Sequence, residues 1–150
     1  EDFWNCTMPP GYLSSQVQLN RLINLALEFA EFRDPPRILA RIKVMEGLVG
    51  PRVTRSVLRK VPTVIFYDEE AVLRPRIDFF IQQFPTMQVY KVLESCPRLL
   101  KSRPASVDRK IREIQAAFSP EDYDIRAMFS RNPEMVGLAS ESVIEKIRDL

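Results

Sequence analysis

Histidine is absent from the 150 residues, which removes the commonest general base and with it most serine and cysteine dyads. Cysteine occurs twice, as Cys6 and Cys96, too far apart in sequence to suggest a disulfide framework or a paired metal-ligand motif. Only four glycines are present, none in a phosphate-cradling loop, which argues against the nucleotide-binding fingerprints. No apolar run approaches the roughly 18 residues that a membrane span requires. These absences argue against an enzyme, a cofactor, a metal site and a membrane partner. The chain opens Glu1-Asp2-Phe3 without a methionine, so an upstream segment is expected to have been removed or omitted, and any targeting peptide is out of view.

What remains is ordinary in bulk and uneven in layout. An apolar content of 45% and a charged content of 28% fit a soluble protein with one core, or a short solenoid. The net charge of +2 conceals three blocks: −3 over residues 1–32, +9 over 33–112 and −4 over 113–150. Arginine outnumbers lysine by 16 to six, a bias that suits forked contacts to phosphate or carboxylate. Asn5-Cys6-Thr7 spells a glycosylation acceptor, but so short a pattern arises by chance and carries no weight here.

One pattern recurs along the chain. Pro62, Pro97 and Pro133 stand 35 and 36 residues apart. Ahead of them come the apolar pairs Val57 and Leu58, Val92 and Leu93, and Met128 and Phe129. Behind them come Val64 and Ile65, Leu99 and Leu100, and Met135 and Val136. Further on, each unit repeats apolar residues at spacings of four and then three: Leu73, Ile77 and Phe80; Val107, Ile111 and Ile114; Val143, Ile147 and Leu150. Ile38, Ile42 and Met45 do the same in a first unit, where Leu27 occupies the proline's place. Self-similarity at this period predicts an all-α superhelical solenoid of about four three-helix repeats of about 35 residues. The units fall at about 16–50, 51–85, 86–118 and 119–150. Residues 1–15, with Pro9-Pro10-Gly11, read as an extended arm whose Phe3, Trp4 and Tyr12 either cover an open end of the stack or bind a partner.

Local signals place the helices. Ser14 or Ser15 is expected to cap the first, Asp34-Pro35-Pro36 to stop it, and Gly47 and Gly50 to close the next, with Pro51 opening another. Thr63 to Tyr67 is rich in β-branched and aromatic residues, but the repeat decides for helix. Asp68-Glu69-Glu70 sits where a helix N-terminus favours acids, so it reads as a helix start rather than a metal or acid/base site. Thr86, Ser119 with Pro120, and Ser140 are expected caps. Cys96, in the place held by Val61 and Asn132 elsewhere, reads as a small packing residue.

A basic residue precedes the central isoleucine of every long helix: Arg41, Arg76, Lys110 and Lys146. Lys43, Arg112 and Arg148 follow it in three units, and Arg37, Arg74 and Arg109 lie nearby. The preceding position falls roughly 65° from the middle of the apolar stripe, on its shoulder. Such a ladder either tracks a phosphate backbone or lays its stems on the core and keeps its charge in water. Arg59 and Lys60, and Arg98, Lys101 and Arg103, form a second basic set at the proline breaks, either phosphate contacts or a solvated rim.

The units resemble those of the mitochondrial transcription termination factor (mTERF) family, whose repeats carry a Leu-x-x-x-Pro-x-Leu-Leu pattern. The fullest copy here is Leu93, Pro97, Leu99 and Leu100; Leu58, Pro62, Val64 and Ile65 follow with conservative changes, and Phe129, Pro133, Met135 and Val136 more loosely. The resemblance implies an organellar helical-repeat protein that binds nucleic acid along a basic concave groove. Its family acts in transcription termination, ribosomal RNA maturation and ribosome assembly. The shortness of the chain inclines this expectation toward RNA, ribosomal RNA above all, over double-stranded DNA. A mitochondrial setting is implied, with a chloroplast the alternative. The rival is a scaffold that receives a ribosomal or other organellar protein.

Overall fold

The computed structural model describes residues 16–150, with side chains from Asn20 onward. The expected arm 1–15 and the caps Ser14 and Ser15 lie outside the described residues. Among those residues the protein is entirely helical, with no strand. Seven α-helices run in order: α1 Gln16–Glu28, α2 Pro35–Lys60, α3 Arg74–Gln83, α4 Val89–Ser95, α5 Pro104–Ala116, α6 Ile125–Arg131 and α7 Ser140–Arg148. The described residues group into two compact units that meet between residues 69 and 70. The boundary falls inside the sequence repeat 51–85, so each compact unit is built across repeat borders rather than along them.

The proline breaks fold alike three times. Val61, Cys96 and Asn132 hold φ/ψ of −140°/60°, −134°/67° and −131°/70°. Each closes the helix behind it with an N–H to the carbonyl four residues back, on Val57, Val92 and Met128, at 2.8, 2.7 and 2.9 Å. The following proline cannot accept the helical geometry in its predecessor and has no N–H to continue the ladder. The chain then makes one 3-10 turn, at Pro62–Phe66, Pro97–Lys101 and Pro133–Gly137. Phe84, before Pro85, adopts −130°/69° without being a repeat marker, so the geometry belongs to a helix meeting a proline.

In the first unit the break lies three residues later than Leu27. Its 3-10 turn is Ala30–Arg33, opened by Phe29 donating to the Leu25 carbonyl at 2.7 Å. Leu27 is 75% exposed, so Ala30 corresponds structurally to Pro62. Asp34 does not stop α1; it caps α2, accepting from the Arg37 amide at 3.3 Å, with Pro35 at the first helical position. Helix α2 is interrupted at Gly50, whose φ of 85° and ψ of 166° suit only a residue without Cβ. Segments 35–49 and 51–60 are therefore two helices in line of sequence, and Thr54 Oγ1 donates to the Gly50 carbonyl at 2.7 Å.

The core of the first unit joins Ile38, Ile42 and Met45 to Val57, Val64 and Ile65, with Phe32 buried edge-on to Phe66 at 5.0 Å. In the second, Leu73, Ile77 and Phe80, then Val107, Ile111 and Ile114, then Val143 and Ile147 are buried, each large side chain contributing about 1.5–3 kcal/mol on burial. There α5 packs on α6 and α7, and the 3-10 turns Pro97–Lys101 and Pro133–Gly137 lie against each other. Leu150 departs from the pattern, 83% exposed beyond the end of α7.

Three expected caps sit elsewhere. Gln88, not Thr86, precedes α4. Ser119 to Asp122 form a turn, and Asp124 caps α6 through the Ala127 amide at 3.1 Å. Ser140 is the first residue of α7, and its hydroxyl donates to Glu113 Oε2 at 2.9 Å. The acidic trio lies where expected, at a π-helical turn, Glu69–Leu73, that runs into α3.

Candidate nucleic-acid interface

Three of the four shoulder cations have the same kind of partner. Arg41 donates from Nε to the Ile65 carbonyl and from Nη2 to that of Tyr67, both at 2.7 Å. Arg76 donates from Nη1 to the Leu100 carbonyl at 2.6 Å. Lys110 donates from Nζ to the Val136 carbonyl. Ile65, Leu100 and Val136 hold the same place, three residues after the break proline of the next repeat. A single 3-10 turn ends with carbonyls that no following amide reaches, and these three residues are buried away from water. A cation is suited to that negative end. The first three long helices thus each close the turn of the repeat after them.

Burial pulls the Lys110 ammonium below the ordinary lysine range, with the neighbouring Glu113 carboxylate acting in the opposite direction. Lys146, the fourth shoulder residue, is exposed and has no partner among the described residues. Three of the four shoulder cations are thus hydrogen-bonded to backbone carbonyls.

The outer candidates are placed differently. Arg37 lies over the Phe66 ring at 5.5 Å, and Arg148 over Phe118 at 5.9 Å. Arg74 pairs with Glu70 at 3.2 Å, Arg109 with Glu113 at 3.8 Å and Arg112 with Asp108 at 2.9 Å. These are one-turn pairs with exposed arginines, worth about 0.2–1 kcal/mol and weak enough to yield to a phosphate. Lys43 is exposed and has no partner among the described residues.

Three arginines not singled out in the sequence also act within the protein. Arg21 donates to the Arg59 and Lys60 carbonyls at the end of segment 51–60. Arg33 donates to the Ala26 carbonyl at 2.7 Å and the Leu27 carbonyl at 3.4 Å, closing α1. Arg126 lies over Phe84 at 5.7 Å and donates to Gln83 Oε1 at 2.9 Å and Asp108 Oδ1 at 3.4 Å. Part of the arginine excess is thus explained by a fork that spans two carbonyls where lysine offers a point charge. Only that excess hinted at it.

The second basic set is exposed at Arg59, Lys60, Arg98, Lys101 and Arg103. In the second compact unit it meets the ladder. Lys101, Arg103, Arg109 and Lys110 line one cleft of about 540 Å³ with Glu113, Ser102, Ser106, Val107, Val136 and Ser140. Four cations against one carboxylate make this recess strongly positive, and three hydroxyls add hydrogen-bonding groups. No cluster able to hold a metal ion occurs among the described residues, and no helix among them is long and apolar enough to cross a membrane. Comparison of the chain with protein-family models, curated proteins and solved structures gives no match.

Proposed function

We propose that the chain is a superhelical repeat protein of organellar gene expression that binds nucleic acid without catalysis, RNA ahead of double-stranded DNA. The single observation that carries the reading is the convergence of Lys101, Arg103, Arg109 and Lys110 on one cleft, since phosphate contacts from lysine and arginine supply sequence-independent affinity. The +9 balance of residues 33–112 and exposed cations such as Lys43 and Arg98 support it. The resemblance of the repeats to the mTERF family supports the solenoid, the organellar setting, a mitochondrion before a chloroplast, and ribosomal RNA or a ribosome-assembly complex as the target.

A second reading, a scaffold for an organellar protein, is favoured by one fact. Arg41, Arg76 and Lys110 are engaged on the protein's own carbonyls, so the most regular charges are not the most available. Salt separates the two. With about four phosphate contacts to a single strand, log affinity falls against log salt with a slope near −3. RNA retention that ignores salt, or is absent at low salt, would refute nucleic-acid binding and leave the scaffold.

A further inference from the structure

We propose that the cleft lined by Lys101, Arg103, Arg109 and Lys110 is a subsite for a phosphomonoester, such as the phosphorylated end of an RNA strand or a free nucleoside monophosphate. It deepens the nucleic-acid reading for the strand end, while the monophosphate arm of the test stands apart from it.

The charges within the cleft are not equivalent. Arg109 is paired with Glu113 at 3.8 Å, Glu113 also accepts from Ser140 at 2.9 Å, and Lys110 donates to the Val136 carbonyl. Lys101 and Arg103 line the same recess, are exposed, and have no partner among the described residues. Two uncommitted cations match a monoester, which carries about −1.5 to −2 near neutrality, better than a backbone diester with a single negative charge. The guanidinium fork of Arg103 is suited to two phosphate oxygens at once, and the Lys101 ammonium to the third. The volume of the cleft, about 540 Å³, falls in the size range of small-molecule sites.

The test uses the full chain and a ten-nucleotide single-stranded RNA labelled at its 3′ end, carrying either a 5′-phosphate or a 5′-hydroxyl, read by fluorescence anisotropy. The phosphorylated strand is expected to bind roughly tenfold more tightly, and the preference to fall below about pH 6 as the monoester takes up a proton. The double variant Lys101→Ala/Arg103→Ala should lose the preference while keeping its far-UV circular dichroism, because both side chains are exposed. A nucleoside 5′-monophosphate titrated by calorimetry distinguishes the sources. Binding comparable to that of the strand end, and lost in the double variant, assigns the cleft to a free nucleotide. Equal affinity for the two strands together with no heat from the monophosphate overturns the proposal, as does a preference that survives in the double variant. Should neither RNA bind, the nucleic-acid reading falls, and the monophosphate titration alone decides the cleft.

Discussion

Replacing Arg41 tests whether the shoulder cations hold the fold together or serve a ligand. Arg41→Ala removes two charge-assisted hydrogen bonds of 2.7 Å, to the Ile65 and Tyr67 carbonyls. A bond to a charged group contributes about 1.5–3 kcal/mol, and more is lost when the orphaned partner is buried. Ile65 is fully buried and Tyr67 half-buried, so water replaces the second bond in part but not the first. Assigning about 2 kcal/mol to the first and about 1 kcal/mol to the second gives a loss near 3 kcal/mol. With a urea dependence of about 2 kcal/mol per molar, the unfolding midpoint should fall by about 1.5 M. Arg41→Lys should lose about half as much, since an ammonium on a shorter reach keeps one of the two bonds. Lys43→Ala, two residues away and without a partner among the described residues, should stay within about 0.5 kcal/mol of the parent. Urea unfolding followed by circular dichroism measures all three. An Arg41→Ala midpoint no lower than that of Lys43→Ala refutes the structural assignment, and so does an RNA affinity that collapses while stability is unchanged.

Gly47, inside segment 35–49, and Gly50, at the break after it, should respond in opposite senses. Gly50→Ala forces a Cβ onto φ 85° and should cost about 1–3 kcal/mol, although the added atom meets nothing within 4 Å. Gly47→Ala, equally uncrowded, should gain about 0.5–1 kcal/mol by restricting the unfolded chain; thermal unfolding of the two variants reads both signs. Lys110 predicts a pH effect. Its folded-state pKa is lowered chiefly by burial, so in the alkaline range the unfolded chain binds more protons than the folded one. Stability relative to Lys110→Gln should therefore rise as pH climbs from the lowered value toward the ordinary lysine value of about 10.4, and be flat below both. A relative stability that falls over that range would refute the assigned sign.

The break at Pro62, Pro97 and Pro133 was legible because its cause is local: ring sterics act on the adjacent residue, and the apolar positions around each proline share a spacing. The buried stripes of the long helices were legible for the same reason, helix period against burial. Ser119 and Ser140 misled because the side chains that cap a helix also serve turns and side-chain pairs, and nothing local tells Ser119 from Asp124, which is the cap. The first unit slipped by three residues because no proline marks its break, and Phe32 rather than Leu27 found the core.

By itself the sequence determined the all-helical class, the proline breaks and most of the buried helix stripes, since these follow from side-chain volume and backbone sterics within a few residues. The partners of Arg41, Arg76 and Lys110 lie 24 to 26 residues further along, and on a helix a cation awaiting a phosphate has the same pattern as one closing a distant turn. Only the tertiary structure showed that all three are engaged on carbonyls. It placed three unsatisfied carbonyl ends within reach of three shoulder cations, and left Lys101 and Arg103 uncommitted beside a recess.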